Sequence, residues 1–526
     1  MTRAVIAIAL AGCAAFAATQ PSAAFKIDRP NAADIEAASN LSQEELRGAV
    51  EDVQRILSTG DCEAVLARLD PLLPRAGGDM RTILQFLRAP CLADLRRNED
   101  FEAVYRELAE AAPDNPQVMV FGVIAALNGD RQTEAAQHMI ALAEQHPGQL
   151  GQLNSWALRS ILQDLAVSEN YELRDRLNIA LAEADWQPPD LPDMRETIAA
   201  GAIDAHLKDG NSDAAGALMD RIESPMTLTT MAIDRHYEPL WPAIEETLGA
   251  EQGRAIDLYA RARLDGYANN GGDSAALRDA VIAYRLLGRL NMAAEIAERA
   301  TVSADMDEAT FVTARIRAGT LIALGEDDAA IAILESVTSL DPQVTPFVPS
   351  AYVSLAEFLD ILHRPEAALA VARQGMAGLE GRLSAYGRSW LRRTEICALT
   401  ALDRRDEAAP LAAALAGNRE DNPAAAIEAQ LCFGDDDRAA ALAIATLETR
   451  EGAEQIADQF LTDEMLGSGM TVYLRAMWQR LLARDDVREA FDRRLRLLPR
   501  ELWPSTDPRP VPRREQVPTP PGLITT

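Results

Sequence analysis

The chain has 526 residues, of which only 5% are aromatic, and its 81 acidic side chains against 51 basic ones give a net charge of −30. This charge excludes a general nucleic-acid binder, because binding to phosphates requires clustered Lys and Arg. Alanine and leucine dominate, whereas residues that favour strands are sparse outside helical patterns. The composition predicts an all-α protein, and the length allows either several domains or one extended array.

The first 24 residues have the pattern of an export signal. Arg3 precedes an apolar stretch over residues 4–18, and small residues occupy the positions that a signal peptidase reads before cleavage after Ala24. This pattern predicts a protein exported to the periplasm, with residues 25–44 as an N-terminal extension. Beyond this stretch the sequence contains no run of about 20 apolar residues, so no further membrane span is predicted.

A lipid anchor is the alternative for the N-terminus. Residues 10–13, LAGC, resemble the lipobox of bacterial lipoproteins, in which Cys13 would be acylated and become the first residue of an outer-membrane protein. The residues that follow Cys13 stay apolar where a lipoprotein usually becomes polar, which favours the soluble form.

The four cysteines beyond residue 24 fall into two pairs that are close in sequence. In an oxidising compartment, disulfides between Cys62 and Cys91 and between Cys397 and Cys432 are the favoured connectivity of the three that four cysteines allow. The alternative is four buried thiols that act as small hydrophobic residues. Metal ligation is not expected, because neither a CxxC pattern nor a Cys/His spacing is present.

One pattern recurs along most of the chain. In residues 324–342, LGEDDAAIAILESVTSLDP, Gly325 is followed by Ala330 five positions later and by Pro342 seventeen positions later. Each copy follows another amphipathic helix, so the unit is a helix, a short turn and a second helix, about 34 residues long. Other copies begin at Gly129, Gly210, Gly288 and Gly434 or, without glycine, at Asn98, His363 and Asp403.

The unit resembles the tetratricopeptide repeat family, in which a small residue lies where paired helices cross and a proline ends the second helix. The resemblance implies an α-solenoid, a right-handed superhelix of antiparallel helix pairs, with roughly eight to ten units between residues 45 and 500. It also implies a concave groove for a protein or peptide partner. The matching positions in the best copy are Ala318, Leu321, Gly325, Ala330, Leu334, Val337 and Pro342.

Interruptions of the repeat divide the chain. A turn-rich stretch near residue 268 separates an N-terminal array over 45–268 from a C-terminal array over 269–500. The helix predicted over 485–499 has the polar character of a capping helix. Residues 501–526 are rich in proline and are predicted to be extended or disordered.

Local motifs for catalysis, cofactors or metals are absent from the sequence. The acidic runs 326–328 and 435–437 each begin a helix, where solvated acids are expected without a ligand. The stretch 209–220 lacks the central glycine of a calcium loop. We find no HExxH pair, no GxSxG elbow and no phosphate-binding glycine loop, so no enzyme, cofactor or metal site is predicted.

Two segments are candidates for partner contact. His236, Tyr237 and Trp241 form the densest polar and aromatic cluster, although such residues also serve as packing at an irregular joint between helices. Near the end of the chain, Arg513 and Arg514 lie among prolines and could dock on a partner as an extended peptide. The alternative for this end is a solvated tail.

The sequence thus predicts a non-enzymatic, exported scaffold that binds a protein or peptide partner. One alternative is an assembly factor anchored in the outer membrane through Cys13. A further alternative is a cell-wall enzyme similar to the superhelical lytic transglycosylases. That family carries a separate lysozyme-like domain with a catalytic glutamate, for which the repeat pattern, continuing to Ala490, leaves no room.

Overall fold

The structure is a computed structural model that describes residues 40–191, 193–379, 381–460 and 472–512. The predicted signal segment and Cys13 lie outside the described residues. Within these ranges all regular secondary structure is helical, and the single bridge between extended residues joins Asp234 and Leu495. The predicted all-α class is confirmed, and neighbouring helices pack on one another in a solenoid-like arrangement.

The chain divides into two compact units between Ile222 and Glu223. The sequence suggested a division near residue 268, which lies in the last turn of a helix of the second unit. The described helices of the first unit are α1 (Gln43–Leu57), α2 (Cys62–Leu69), α3 (Gly78–Asp94), α4 (Asn98–Ala111), α5 (Pro116–Asn128), α6 (Gln132–Gln145), α7 (Ser155–Val167), α8 (Tyr171–Glu183), α9 (Met194–Lys208) and α10 (Ser212–Ala217).

The second unit contains the longer series of helices. Those described are α11 (Pro225–Ile233), α12 (Trp241–Leu248), α13 (Gly253–Asn269), α14 (Ser274–Leu286), α15 (Leu290–Ala297), α16 (Glu308–Ala323), α17 (Asp327–Thr338), α18 (Val348–Ile361), α19 (Pro365–Gly378), α20 (Ala385–Ala401), α21 (Arg405–Gly417), α22 (Pro423–Phe433), α23 (Asp436–Leu447), α24 (Arg450–Ile456), α25 (Val472–Leu482) and α26 (Asp485–Arg494).

The repeated turn has the geometry that its residues require. Gly325 lies between α16 and α17 at φ +79°, a left-handed conformation that glycine adopts without a clash of Cβ. Five residues later, Ala330 has no exposed surface, which allows α17 to approach its neighbours closely. The corresponding small residues of other copies are also fully buried: Ala215, Ala293, Ala368, Ala408 and Ala439.

Two copies have a different register from the one that the sequence suggested. In the copy assigned to Gly129 the left-handed residue is Asp130, at φ +53°, and the fully buried Ala135 follows five residues later. The other copy is the one assigned to Asn98. Asn98 is the first residue of α4, and the left-handed turn residue is Arg96, at φ +55°. The position five residues after Arg96 is Phe101, which is fully buried, whereas Ala103 is exposed. The sequence register was therefore wrong here, because a large residue takes the place of the small one and hides the pattern.

In the second unit the first helices of successive pairs form an inner layer. These helices are α14, α16, α18, α20 and α22, and each of the first four contacts the next one, although α16 and α18 contact each other only slightly. Among the described residues, the second helices α15, α17, α19 and α21 make no contacts of similar extent with one another. Stacked pairs with this asymmetry place the first helices on the inner side of the array and the second helices on the outer side.

Both predicted cysteine pairs are present. The Cα atoms are 5.0 Å apart in the pair Cys62–Cys91 and also in the pair Cys397–Cys432, within the range of disulfides. The first pair joins α2 to α3, and the second joins the inner-layer helices α20 and α22. Two such pairs are consistent with an oxidising, exported compartment.

The second unit closes on itself, because its last helices return to its first ones. Helix α26 contacts the 3₁₀ turn over residues 235–240, and residues 457–460 contact α11. Helix α25 lies against α22 and covers that end of the inner layer. The capping helix ends at Arg494 and buries Val487, Ala490 and Phe491.

Candidate functional site

The inner layer is open to solvent over α16, α18 and the first half of α20. On α18 the partly exposed residues Ser350, Val353, Glu357 and Ile361 are three or four positions apart. Residues at this spacing lie along one face of a helix. This is therefore the least buried face of α18, and two of its residues, Val353 and Ile361, also pack against buried clusters. By contrast, α22 is almost entirely buried.

Two contacts fix the alignment of α18 with α20. Arg393 on α20 donates from Nη1 to Oδ2 of Asp360 on α18 at 2.7 Å. About one and a half turns earlier, Gly387 on α20 lies beside Val353 on α18. A Cβ atom added to Gly387 would be 3.8 Å from Cγ2 of Val353. Trp390, three residues before Arg393, is therefore level with Glu357, three residues before Asp360.

An exposed aromatic pair lies at this level. Tyr386 has 57% of its surface exposed, Trp390 is partly buried, and their rings meet edge to face with centroids 6.2 Å apart. Arg315 on α16 is exposed and interacts electrostatically with Glu357. We call Arg315, Val353, Glu357, Tyr386 and Trp390 the inner patch.

A chain of buried polar contacts lies beside the inner patch. Arg393 has no exposed surface and makes an ion pair of 2.8 Å between Nε and Oε2 of Glu428 on α22, in addition to its bond with Asp360. Oε1 of Glu428 accepts a hydrogen bond of 2.9 Å from Nε1 of Trp478 on α25. These contacts join four helices and hold the backbone beneath the inner patch in one register.

Glu357 is electrostatically unusual. Burial raises the pKa of its carboxyl above the ordinary value of 4.5, and the carboxylates of Glu428 and Asp360 act in the same direction. The guanidinium groups of Arg393 and Arg315 oppose this rise in the pKa. A carboxyl in this setting gains from a positively charged ligand group, which would offset its burial and favour the ionised form.

The predicted cluster around His236 contacts the C-terminal part of the same chain. The guanidinium of Arg496 lies 3.5 Å from the ring centroid of Trp241, and that of Arg450 lies 5.8 Å from the ring of Tyr237. The rings of His236 and Tyr237 meet edge to face at 5.1 Å. The structure thus brings His236 and Tyr237 together and places Tyr237 and Trp241 against different arginines, at a joint within the second unit.

The other sequence candidates lie elsewhere. Arg513 and Arg514 are outside the described residues. In the acidic runs, Asp328 pairs with Arg364 at 2.8 Å and Asp437 pairs with Arg484 at 2.8 Å. In the part of the chain that the structure describes, no group of three or more His, Cys, Asp or Glu side chains is arranged to hold a metal ion.

The sequence interpretation did not single out the inner patch. Tyr386 and Trp390 are four positions apart in AYGRSW, a spacing that places both aromatic rings on one face of a helix. Because the chain has few aromatic residues, this pair was the sequence feature that could have indicated a contact surface. Its exposure could not be read from the sequence, because similar spacing also occurs in buried helices.

Comparisons with known proteins give no assignment for this chain. No protein-family model matches it. No curated protein matches it at a significant level of sequence similarity. Across the described ranges, no helix combines the length and the apolar character needed to cross a membrane.

Proposed function

We propose that the protein is a non-catalytic, exported scaffold, built from repeats that resemble tetratricopeptide repeats, and that it binds an extended segment of a protein partner on the inner face of its second unit. The observation that carries the proposal is the contact between the exposed ring of Tyr386 and the partly buried ring of Trp390 on the inner layer, level with Glu357.

The composition of the inner patch suits a peptide ligand. Tyr and Trp provide large contact areas with few rotatable bonds, and for this reason they dominate the binding energy of many interfaces. Arg315 provides a positive charge, and a basic group of the partner would favour the ionised form of Glu357, so that the two side chains can fix the orientation of a bound segment. A basic residue of the partner is expected to lie next to Glu357.

The periplasm is the proposed compartment. The N-terminal sequence pattern and the two cysteine pairs at disulfide distance support it. An outer-membrane lipoprotein with the same binding function is the alternative, and it depends on Cys13. Replacing Cys13 by Ser distinguishes the two, because an anchored protein would leave the membrane fraction and a cleaved one would not change.

Photo-crosslinking in the intact cell envelope tests the proposed function. A photoreactive phenylalanine derivative at position 390 is expected to yield a discrete protein adduct, and the additional change Glu357→Lys is expected to remove it. The control carries the same group at Val344, which is 60% exposed in the loop after α17. Absence of an adduct at position 390, or the same adducts at both positions, would contradict the proposal.

A further inference from the structure

The last described residues of the chain, 508–512, have no regular secondary structure and lie against other parts of the second unit. The backbone N–H of Arg509 donates to the carbonyl oxygen of Leu287 at 2.9 Å. In return, Nε of Arg289 donates to the carbonyl oxygen of Arg509 at 2.7 Å. Part of the segment predicted to be extended or disordered is therefore held in place, because its backbone finds partners at the turn between α14 and α15.

The side chain of Arg509 is recognised at the start of α13. Its Nε and Nη2 donate to the two carboxylate oxygens of Asp257 at 3.2 and 2.9 Å. Nη2 also donates to the carbonyl oxygen of Gly253 at 3.3 Å. This two-pronged geometry suits a guanidinium and is unavailable to the ammonium group of lysine.

Apolar contacts accompany the arginine. Val511 packs against a buried cluster between α13 and α14. Pro508 lies close to the same turn between α14 and α15. If Gly288 carried a Cβ atom, that atom would lie 3.2 Å from the Cα atom of Pro508. The cluster that receives Val511 consists of Ile256, Ala260, Ala283 and Leu287.

Gly253 is a second glycine that the tail explains. It begins α13 with φ −63°, a conformation in which alanine would favour the helix more than glycine does. A Cβ at this position would lie 2.6 Å from Nη2 of Arg509. A side chain at this position would therefore displace the guanidinium from the place in which it is bound.

We propose that Gly253, Asp257, Leu287, Gly288 and Arg289, together with the apolar cluster, form a recognition site for an extended segment of the pattern Pro-Arg-Pro-Val. We call this surface the tail site. Residues 508–511 of the chain occupy it, and a partner protein that presents the same pattern as an extended segment competes with them. The tail site and the inner patch consist of different residues, so the two proposals are independent.

Binding of a labelled peptide with the sequence of residues 505–512 tests the tail site by fluorescence anisotropy. The wild-type chain is expected to bind the peptide at least about tenfold more weakly than Arg509→Ala, because a tethered tail competes at a millimolar effective concentration. Arg509→Ala is thus the first host protein for the peptide. A second host is a chain that ends at Pro504 and therefore lacks the competing tail, and its circular dichroism is measured to check that it remains helical.

Three changes establish specificity in the Arg509→Ala background. Adding Asp257→Asn or Gly253→Ala is expected to weaken peptide binding about tenfold, which corresponds to about 1.4 kcal/mol. The matched control Glu246→Gln alters an exposed acid on α12 whose nearest cation is 3.9 Å away, and it is expected to leave binding unchanged. Failure of both hosts to bind the peptide at 1 mM, or equal binding by all three variants, would overturn the proposal.

Discussion

The buried arginine of the inner layer gives the sharpest stability prediction. Arg393→Met keeps an unbranched apolar stem but removes the guanidinium, whose charge lies 2.7 Å from Asp360 and 2.8 Å from Glu428. Both carboxylates are almost completely buried, with exposed side-chain fractions of 9% and 1%. Removing one partner of a buried ion pair costs about 3–5 kcal/mol, because the remaining charges have neither water nor a counter-ion.

Urea unfolding, followed by circular dichroism at 222 nm, measures this loss. The control is Arg364→Met, which breaks an ion pair of similar length, 2.8 Å, to an Asp328 side chain that is 90% exposed. The control is expected to lose less than about 1 kcal/mol. Equal losses for the two variants at neutral pH would refute the assignment of Arg393 as the centre of a buried network.

Three further predictions concern the turns, the disulfides and Glu357. Gly325→Ala is expected to lose about 1–2 kcal/mol of stability, because the left-handed backbone disfavours a Cβ even though no atom lies within 4 Å of it. Asp403→Gly, at φ +59°, is expected to gain stability in the same urea titrations, because glycine adopts this conformation without that cost. Replacing Cys397 and Cys432 by Ala is expected to cost about 2–4 kcal/mol, and an unchanged thermal midpoint would argue against the bond. The raised pKa of Glu357 means that the folded state binds its proton more tightly than the unfolded state does. The wild type is therefore expected to lose stability relative to Glu357→Gln as the pH rises above 4.5. Parallel profiles of the unfolding free energy against pH for the two proteins would contradict this.

The fold could be predicted from the sequence where one residue type dominates a position. The turn at Gly325 and the crossing at Ala330 depend on the absence or small size of a side chain, and such requirements are visible in single letters. The turn at Arg96 could not be read in this way, because a non-glycine residue occupies the left-handed conformation and Phe101 fills the crossing.

The candidate sites were harder to predict, because they depend on contacts between distant parts of the chain. The ion pair of Arg393 with Glu428 and the hydrogen bond of Trp478 join three helices that no local motif connects. Likewise, Arg509 looked like part of a solvated tail until its bonds to Asp257, 252 residues earlier, were seen. Local patterns predict which helices form, whereas the return of the chain end onto α13 follows from tertiary packing.

The decisive measurement for the proposed binding surface is the affinity of the inner patch for its crosslinked partner. The double variant Tyr386→Ser/Trp390→Ser is expected to bind the purified partner roughly 30-fold more weakly, corresponding to about 2 kcal/mol of lost aromatic contact, with an unchanged unfolding midpoint. The matched control is Trp156→Ser/Tyr171→Ser, which changes aromatic residues of the first unit that are 60% and 48% exposed, and its affinity is expected to equal that of the wild type. Equal affinities for the wild type and the inner-patch variant would contradict the account.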